Sequence, residues 1–277
     1  MNIDSMQYSV LMPLWHKEEL SYLQQSLQSM VQQNKPPQEF VFVLDQPISK
    51  KMKSFIQSLL PASIDIQFVK AYHLHGQGLG ALLKEGVTKC SCPYIARMDS
   101  DDISLPSRCE KELQLFAMFP DLAVVGSYLT EFSHTPKDLH SVRKVPQQGM
   151  SIRHFAKYRN PMNHSTVMLK KDALLSVGNY DSNFSYCEDY ELWYRMIKKG
   201  YVLYNIQESL LYYRTGSDFL DRRSRKGNRH AYLKLRKIML KDHFINYFEF
   251  LLFTFIQYFF SVSPNYMKKF IYHNLRK

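Results

Sequence analysis

The sequence predicts an α/β fold in which helices cover a parallel sheet, and three observations support this prediction. Short apolar runs alternate with segments of helical periodicity through the first third of the chain, which is typical of parallel strands joined by helices. The last of these runs passes directly into a cluster of acidic residues, and a glycine-rich turn precedes one of the helices. With 277 residues, 45% of them hydrophobic, the chain is long enough to bury one main core.

Four strands and three helices are predicted in this first part. The strands cover residues 8–13, 39–45, 64–70 and 93–98, each a short apolar run bounded by polar or turn residues. The residues that mark the helices are Leu20, Leu23, Leu27, Met30 and Val31 for the first, Phe55, Ile56, Leu59 and Leu60 for the second, and Gly76, Gly78 and Gly80 at the start of the third. This βαβαβαβ order is typical of nucleotide-binding folds.

The second half is less regular. Apolar runs predict strands over residues 123–128 and 165–169, and helical spacing predicts a helix over 188–199 that Gly200 closes. Four cysteines form one C-x-C pair and two single positions, which matches neither a disulfide framework nor paired zinc ligands. Residues 1–7 are polar and acidic where a secretion signal requires a basic and then an apolar stretch, so we expect a reduced, intracellular protein.

The net charge of +11 indicates an anionic partner, and the basic residues concentrate late in the chain. An aromatic and apolar stretch follows at 244–260, but Asn246, Glu249 and Gln257 interrupt it and leave it short of a spanning helix of about 20 residues. We interpret this tail as a segment that lies on an anionic membrane surface. The alternatives are a solvated basic face, a terminal helix packed on the core, or a dimer contact. The ten basic residues are Arg214, Arg222, Arg223, Arg225, Lys226, Arg229, Lys234, Arg236, Lys237 and Lys241.

The acidic cluster at the end of the fourth strand comprises Asp99, Asp101 and Asp102, with Ser100 between them. Ligands of open α/β sheets bind at the carboxyl ends of the strands. Carboxylates one residue apart in an extended segment point to the same side and can share a divalent cation, which would hold a diphosphate. The alternative is an acidic loop before a helix that starts near residues 104–106, whose dipole favours nearby carboxylates.

Three segments together resemble family 2 glycosyltransferases. Residues 95–103 (IARMDSDDI), followed by Pro106, Arg108 and Glu110, resemble the D-x-D segment of that family. Residues 160–168 (NPMNHSTVM) resemble its acceptor-side segment. Residues 187–193 (CEDYELW) resemble its catalytic "ED" segment. The resemblance implies a GT-A fold with a Rossmann-like nucleotide-binding half, a mixed central sheet and a helical membrane-associating tail. It implies a glycosyltransferase domain over 1–213, divided into 1–103 for the nucleotide-sugar and 104–213 for the acceptor, with the tail over 214–277.

The resemblance also implies which residues bind the donor. Pro13, Trp15 and Asp45 match the positions that hold the nucleotide, and Asp45 is suited to accept a hydrogen bond from the uracil N–H, which favours UDP. Trp15-His16 and Asp45-Gln46-Pro47 depart from the Tyr-Asn and Asp-Gly-Ser of the family pattern. Asp99 and Asp101 match the ligands of Mn²⁺ or Mg²⁺, and Arg97 is placed to orient these carboxylates or to contact phosphate.

On the acceptor side, Asp189 matches the general base that takes the proton of the attacking hydroxyl, with Glu188 as its neighbour. Both stand at a predicted helix start, so simple stabilisation of that helix is the alternative. Asn163 and His164 match the acceptor-side segment. Arg214, Arg222 and Arg223 match a flexible segment that closes over the donor and serves its pyrophosphate.

The resemblance implies inverting transfer of a hexose or N-acetylhexosamine, with glucose or galactose favoured, from a UDP-sugar to a lipid-diphosphate-linked sugar. The pathway implied is O-antigen or other surface polysaccharide assembly, and the expected place is the cytoplasmic face of the inner membrane, with no nucleic-acid partner.

Two other functions stay open at this point. Gly76, Gly78 and Ala81 fit a G-x-G-x-x-A dinucleotide fingerprint and suggest an NAD-dependent oxidoreductase, although that fingerprint belongs in the first βα turn and here stands in the third. The basic run with interleaved tyrosines suggests a non-catalytic RNA- or lipid-binding protein.

Overall fold

The computed structural model describes residues 2–136, 138–139, 141–216, 226–264 and 267. Nine strands in these residues form one sheet, and nine α-helices surround it. The strands are β1 (Tyr8–Leu14), β2 (Glu39–Leu44), β3 (Asp65–Lys70), β4 (Tyr94–Arg97), β5 (Ile103–Ser104), β6 (Leu122–Phe132), β7 (Ser141–Arg143), β8 (Met168–Lys170) and β9 (Val202–Arg214). The helices are α1 (Leu20–Val31), α2 (Lys50–Leu59), α3 (Leu79–Lys89), α4 (Arg108–Met118), α5 (Gly149–Phe155), α6 (Lys171–Ser176), α7 (Glu188–Lys198), α8 (Lys226–Lys241) and α9 (Tyr247–Val262).

The first half is the predicted parallel sheet. Its strands lie in the order β3-β2-β1-β4, and all three neighbouring pairs are parallel. β1, β2 and β4 are buried on both faces, which explains why they are mostly apolar runs, whereas the edge strand β3 is only partly buried. Their carboxyl ends meet at one edge, so the residues that follow them in the chain are brought together there. The four strands and three helices predicted for this half are confirmed.

The second half turns the sheet from parallel to mixed. β8 pairs antiparallel with β4 and with β6, β6 pairs parallel with β9, and β5 pairs antiparallel with β9. The strand predicted over 165–169 is partly wrong: His164–Thr166 is a turn of 3₁₀-helix, and β8 starts only at Met168. Thr166 accounts for the difference, because its hydroxyl donates to the carbonyl of Asn163 (2.8 Å) and supports the turn. β9 was not predicted because its polar residues interrupt the apolar pattern.

The charged and aromatic tail packs on the preceding part of the chain. Leu235 and Met239 of α8 are buried in a cluster with Tyr190 and Tyr194 of α7, and Phe244 belongs to the same cluster. Polar contacts support this packing, because the Tyr194 hydroxyl donates to Asp242 (2.5 Å) and Lys198 pairs with the same carboxylate (2.6 Å). The basic helix α8 and the first two residues of the aromatic stretch, Phe244 and Ile245, are therefore packed on the core. The division after residue 213 stays a prediction.

α9 differs from α8 because its apolar residues largely face outward. Asn246 and Glu249 form a capping box that fixes where α9 begins. The exposed apolar residues of α9 are Tyr247, Phe248, Leu251, Leu252, Phe255, Ile256, Tyr258, Phe259 and Val262. Of the helices that the structure describes, none has the length and apolarity needed to cross a membrane.

Candidate active site

The nucleotide-side residues lie where β1 and β2 end. Pro13 is close to the end of β1, and the Trp15 side chain beyond it is 55% exposed, so its ring is accessible to a ligand. Asp45 follows β2, and its Oδ2 lies 3.1 Å from Nδ1 of His75. Gln46 Nε2 also lies within 3.1 Å of the His75 ring. The structure therefore adds His75, which the sequence did not indicate, to the surroundings of Asp45.

The acidic cluster is a tight loop at the end of β4. Asp102 is fully buried, and its Oδ1 accepts a hydrogen bond from the backbone N–H of Arg214 (2.9 Å), while its Oδ2 has no hydrogen-bond partner among the described residues. Burial, followed by the charges of Asp99 and Glu18, raises the pKa of Asp101 to about 7. Carboxylates that repel one another in this way favour a bound cation, which would relieve the repulsion.

A divalent cation fits this loop by the chemistry of its donors, since carboxylate oxygens are the preferred ligands of Mg²⁺ and Mn²⁺. The described residues contain no group of three or more His, Cys, Asp or Glu side chains arranged as a ready metal site.

Arg214 does not belong to a flexible segment, which corrects the expectation for this residue. It ends β9, its side chain is buried, and its Nε donates to the carbonyl of Asp101 (2.9 Å). Its guanidinium also stacks on Tyr22, with the carbon 3.9 Å from the ring centroid, and donates to Gln25 (3.0 Å). These contacts tie Arg214 to the acidic loop and to α1. Arg222 and Arg223 lie outside the described residues.

Arg97 connects the acidic loop with the acceptor side. This buried residue forms an ion pair with Asp99. Burial raises the pKa of Glu188 and lowers the pKa of His164. The charge of Arg97 acts to lower the pKa of each group, so Glu188 and His164 both lie within electrostatic reach of Arg97. The prediction that Arg97 orients a carboxylate of the cluster agrees with this geometry, whereas its burial leaves little surface for a phosphate.

Glu188 and Asp189 start α7 after Cys187, whose backbone is left-handed (φ 52°) and turns the chain into the helix. Burial, followed by the charge of Asp189, raises the pKa of Glu188 to about 8, so Glu188 is mostly protonated at pH 7. Asp189 is only partly buried, and its Oδ2 accepts a hydrogen bond from Nδ2 of Asn160 (2.6 Å). Of the two, Asp189 is the one accessible to a substrate.

The two residues expected at the acceptor are less accessible. Asn163 is fully buried and donates to the carbonyl of Ser127 (2.7 Å), so it does not reach a ligand in this conformation. His164 Nε2 lies 2.9 Å from the Tyr180 hydroxyl, and burial together with the charge of Arg97 holds the pKa of His164 well below its ordinary value. Asn163 is thus fixed against the backbone of Ser127, and His164 is fixed against Tyr180, whose pKa burial raises and on which the charges of Asp189 and Glu188 also act.

The glycine-rich turn is explained by packing within the chain. A Cβ at Gly78 would lie 2.8 Å from the Cα of Ser185, and one at Gly80 would lie 2.8 Å from the Cβ of Glu188. The close approach that these glycines allow is therefore to the segment that starts α7. A dinucleotide fingerprint uses its glycines for approach to a pyrophosphate, so this geometry speaks against the NAD-dependent alternative.

Sequence comparisons show which family the chain belongs to. Residues 9–178 match the protein family described as Glycosyl transferase family 2, and residues 94–275 match Glycosyl transferase family group 2. The amylovoran biosynthesis glycosyltransferase AmsE of Erwinia amylovora is 35% identical over 219 residues, which cover 78% of this chain and 79% of that protein. The UDP-Gal:alpha-D-GlcNAc-diphosphoundecaprenol beta-1,3-galactosyltransferase of Escherichia coli is 29% identical over 273 residues, 98% of this chain and 97% of that protein.

Solved structures share the fold. Residues 1–349 of S. aureus TarS in complex with UDP-GlcNAc match with a TM-score of 0.65 and 14% identity, over 93% of this chain and 74% of that chain. This chain spans 40% of the longer TarS structure. The mannosyltransferase PcManGT from Pyrobaculum calidifontis, in complex with GDP-Man and Mn²⁺, matches with a TM-score of 0.64 and 12% identity, over 86% of this chain and 66% of that chain. These matches confirm the predicted GT-A arrangement.

The crowding of carboxylates gives a test that needs no substrate. Because the pKa of Asp101 is raised in the folded state, the side chain is protonated there while it is ionised in the unfolded chain between about pH 4 and pH 7. Wild-type stability therefore falls as the pH rises through this window. We expect Asp101→Asn to raise the free energy of unfolding near pH 8 in metal-free buffer and to have little effect near pH 3, as measured by urea denaturation. Asp121→Asn, at an exposed position, is the matched control. If both substitutions changed the free energy of unfolding near pH 8 by the same amount, the raised pKa of Asp101 would be contradicted.

Proposed function

Because the chain belongs to glycosyl transferase family 2, we propose that it transfers a hexose or N-acetylhexosamine from a UDP-sugar to a lipid-diphosphate-linked sugar, with inversion at the anomeric carbon. The observation that carries the proposal is a chain of interactions: Arg97 pairs with Asp99 of the acidic loop, and the charge of Arg97 also acts on Glu188, the neighbour of Asp189. Beyond burial and the charge of Asp189, the charge of Asp99 also raises the pKa of Glu188, so the donor side and the acceptor side lie in one electrostatic environment. We propose O-antigen or another surface polysaccharide as the product, because one relative, WbnJ of Escherichia coli, is named as an O-antigen biosynthesis glycosyltransferase and AmsE as an enzyme of amylovoran biosynthesis.

The proposed donor is UDP-galactose or UDP-glucose. Asp45 is a partly exposed acceptor at the end of β2, suited to the N–H of a uracil, and the exposed Trp15 ring at the end of β1 is suited to stack on a base. Support for galactose comes from the E. coli relative, whose name gives UDP-Gal as its donor and a GlcNAc linked to diphosphoundecaprenol as its acceptor.

Asp99 and Asp101 are the proposed ligands of Mn²⁺ or Mg²⁺, which supplies Lewis-acid stabilisation of the departing diphosphate when bound. Arg97 holds Asp99 in place, and Arg214 holds the backbone of Asp101. Both contacts fix the loop before a donor arrives, so little reorganisation is needed when it binds.

Asp189 is the proposed general base. The acceptor oxygen forms a bond to the anomeric carbon while the bond from that carbon to the diphosphate oxygen breaks, and the hydroxyl proton passes to Asp189. Asp189 is proposed for this role because it is only partly buried, whereas its neighbour Glu188 is buried. The result of this single displacement is an inverted sugar linkage and free UDP.

Docking on an anionic membrane surface is the proposed way in which the enzyme meets a lipid-linked acceptor. Phe248 and Phe255 of α9 are 72% and 67% exposed, which is costly for phenylalanine unless the surface is covered. Arg229 of α8 lies over the Tyr258 ring, 5.5 Å from its centroid, so basic and apolar groups share this surface. Such a combination suits the headgroup region of a cytoplasmic leaflet.

The function is tested by a donor screen with a GlcNAc-diphosphate-lipid acceptor and Mn²⁺, in which UDP release and product are measured. Asp189→Asn keeps the shape of the side chain but accepts no proton, so we expect kcat to fall by about 100-fold or more, with UDP affinity unchanged by calorimetry. The exposed Asp172→Asn is the control. Turnover by the Asp189→Asn variant at the wild-type rate would refute the assignment of Asp189 as the base. Absence of turnover by the wild type with every donor would refute the proposed function.

The metal assignment is tested by Asp101→Ala. We expect this variant to lose Mn²⁺-stimulated turnover while its far-UV circular dichroism stays that of the wild type, because the side chain lies in a loop and not in the apolar core. Asp99→Ala is expected to behave in the same way, and Asp121→Ala serves as the control. Activity close to that of the wild type in either loop variant, or in the wild type with a chelator, would refute the assignment.

The membrane proposal is tested by replacing Phe248, Phe255 and Ile256 of α9 with serine in one variant. These side chains lie outside the core, so we expect the variant to fold, to be more soluble, and to co-sediment with phosphatidylglycerol vesicles at least about tenfold more weakly. Met150→Ser, at a residue 76% exposed on α5, is the control. Equal sedimentation of the triple variant and the control would exclude α9 as the docking surface. A truncation after Asp242 is less suitable, because it removes the buried Phe244 and Ile245.

A further inference from the structure

The hydrogen bonds of Asp189 leave little freedom for its carboxylate. Oδ1 accepts from the backbone N–H of Tyr190 (2.8 Å), and Oδ2 accepts from Nδ2 of Asn160 (2.6 Å). The first bond comes from the helix to which Asp189 belongs and the second from a segment 29 residues earlier in the chain. The second bond is therefore the one that fixes the direction of the carboxylate relative to the rest of the site.

Hydrogen bonds fix both the side chain and the backbone of Asn160. Its Oδ1 accepts a hydrogen bond from the backbone N–H of Met162 (3.3 Å), which orients the amide so that Nδ2 points to Asp189. Its backbone carbonyl accepts from the Arg143 guanidinium (3.1 Å), and the next residue, Pro161, has a restricted backbone. A side chain fixed in this way loses little conformational entropy when it holds its partner.

We propose that Asn160 is a positioning residue for Asp189, which holds the carboxylate with one oxygen toward the acceptor hydroxyl. This inference rests on the proposed function, in which Asp189 is the general base. The physical reason is that the amide of Asn160 supplies the hydrogen bond from outside α7, which fixes the direction of the carboxylate. A small displacement of a reacting group costs up to about 100-fold in rate, so the loss of this bond affects turnover more than substrate binding.

The deciding variant is Asn160→Asp, which is almost isosteric with the wild type. It keeps an oxygen that accepts from Met162 but replaces the N–H donor by an oxygen that repels Asp189. If Asn160 served only its own segment, through the contact with Met162, Asn160→Asp would stay close to the wild type and Asn160→Ala would be impaired. A positioning role predicts that Asn160→Asp lowers kcat by about 10- to 100-fold, a loss at least as large as that of Asn160→Ala. The KM values for donor and acceptor are expected to change little.

The assay uses the donor and acceptor pair that turns over in the screen described above, with thermal unfolding measured for each variant. Gln57→Glu, the same chemical change at an exposed position of α2, is the control. We expect Asn160→Asp to cause no further loss in the Asp189→Asn background, because the two residues act through one carboxylate. A normal kcat in Asn160→Asp, an effect confined to the acceptor KM, or additive losses in the double variant would each overturn the inference.

The two hypotheses fail separately. If Asp189→Asn is inactive and Asn160→Asp is normal, only the inference about Asn160 is lost. If Asp189→Asn is itself fully active, the base assignment fails and the inference fails with it.

Discussion

The packing of three aspartates into the short loop after β4 is the constraint on which the rest of the site depends. Carboxylates in a partly buried loop repel one another, and each loses hydration that the protein must replace. Two arginines compensate: Arg97 pairs with Asp99, and Arg214 binds the loop through its backbone and its side chain. Because Arg97 ends β4 and Arg214 ends β9, the loop is fixed from both halves of the sheet.

The same arrangement explains why an unpredicted strand matters for the site. β9 runs beside β6 for most of its length, and its last residue places the guanidinium of Arg214 against Tyr22 and Phe132. Stacking on two rings leaves the N–H groups directed at the loop and at Gln25. The compensation of the acidic loop is therefore built by residues that are far from it in sequence, and it exists only once β9 has joined the sheet.

The acceptor side is connected to the tail by a short segment after α5. Lys157 pairs with Glu249 of α9 (2.8 Å), the ring of Tyr158 lies 5.6 Å from that of Phe253, and Asn160 reaches Asp189. Residues 157–160 thus contact both the exposed apolar helix and the proposed base. For an enzyme of the proposed function, this segment would link a helix that lies on the membrane surface to the base that acts on the lipid-linked acceptor.

The sequence alone determined the parallel half and the acidic cluster at its edge, because buried parallel strands are local apolar runs and the cluster is contiguous. The family segments predicted roles for Asp99, Asp101 and Asp189 from their neighbours in the chain, and these roles stay predictions. Tertiary structure decided what is not local: that His75 lies beside Asp45, that Arg214 is committed to the acidic loop, that Asn163 is buried, and that Asn160 holds Asp189. It also showed that the glycine-rich turn packs against the start of α7, although its pattern alone fitted a dinucleotide loop. Burial and hydrogen bonding between distant segments depend on how the sheet brings strand ends together, and no periodicity in a single segment encodes that.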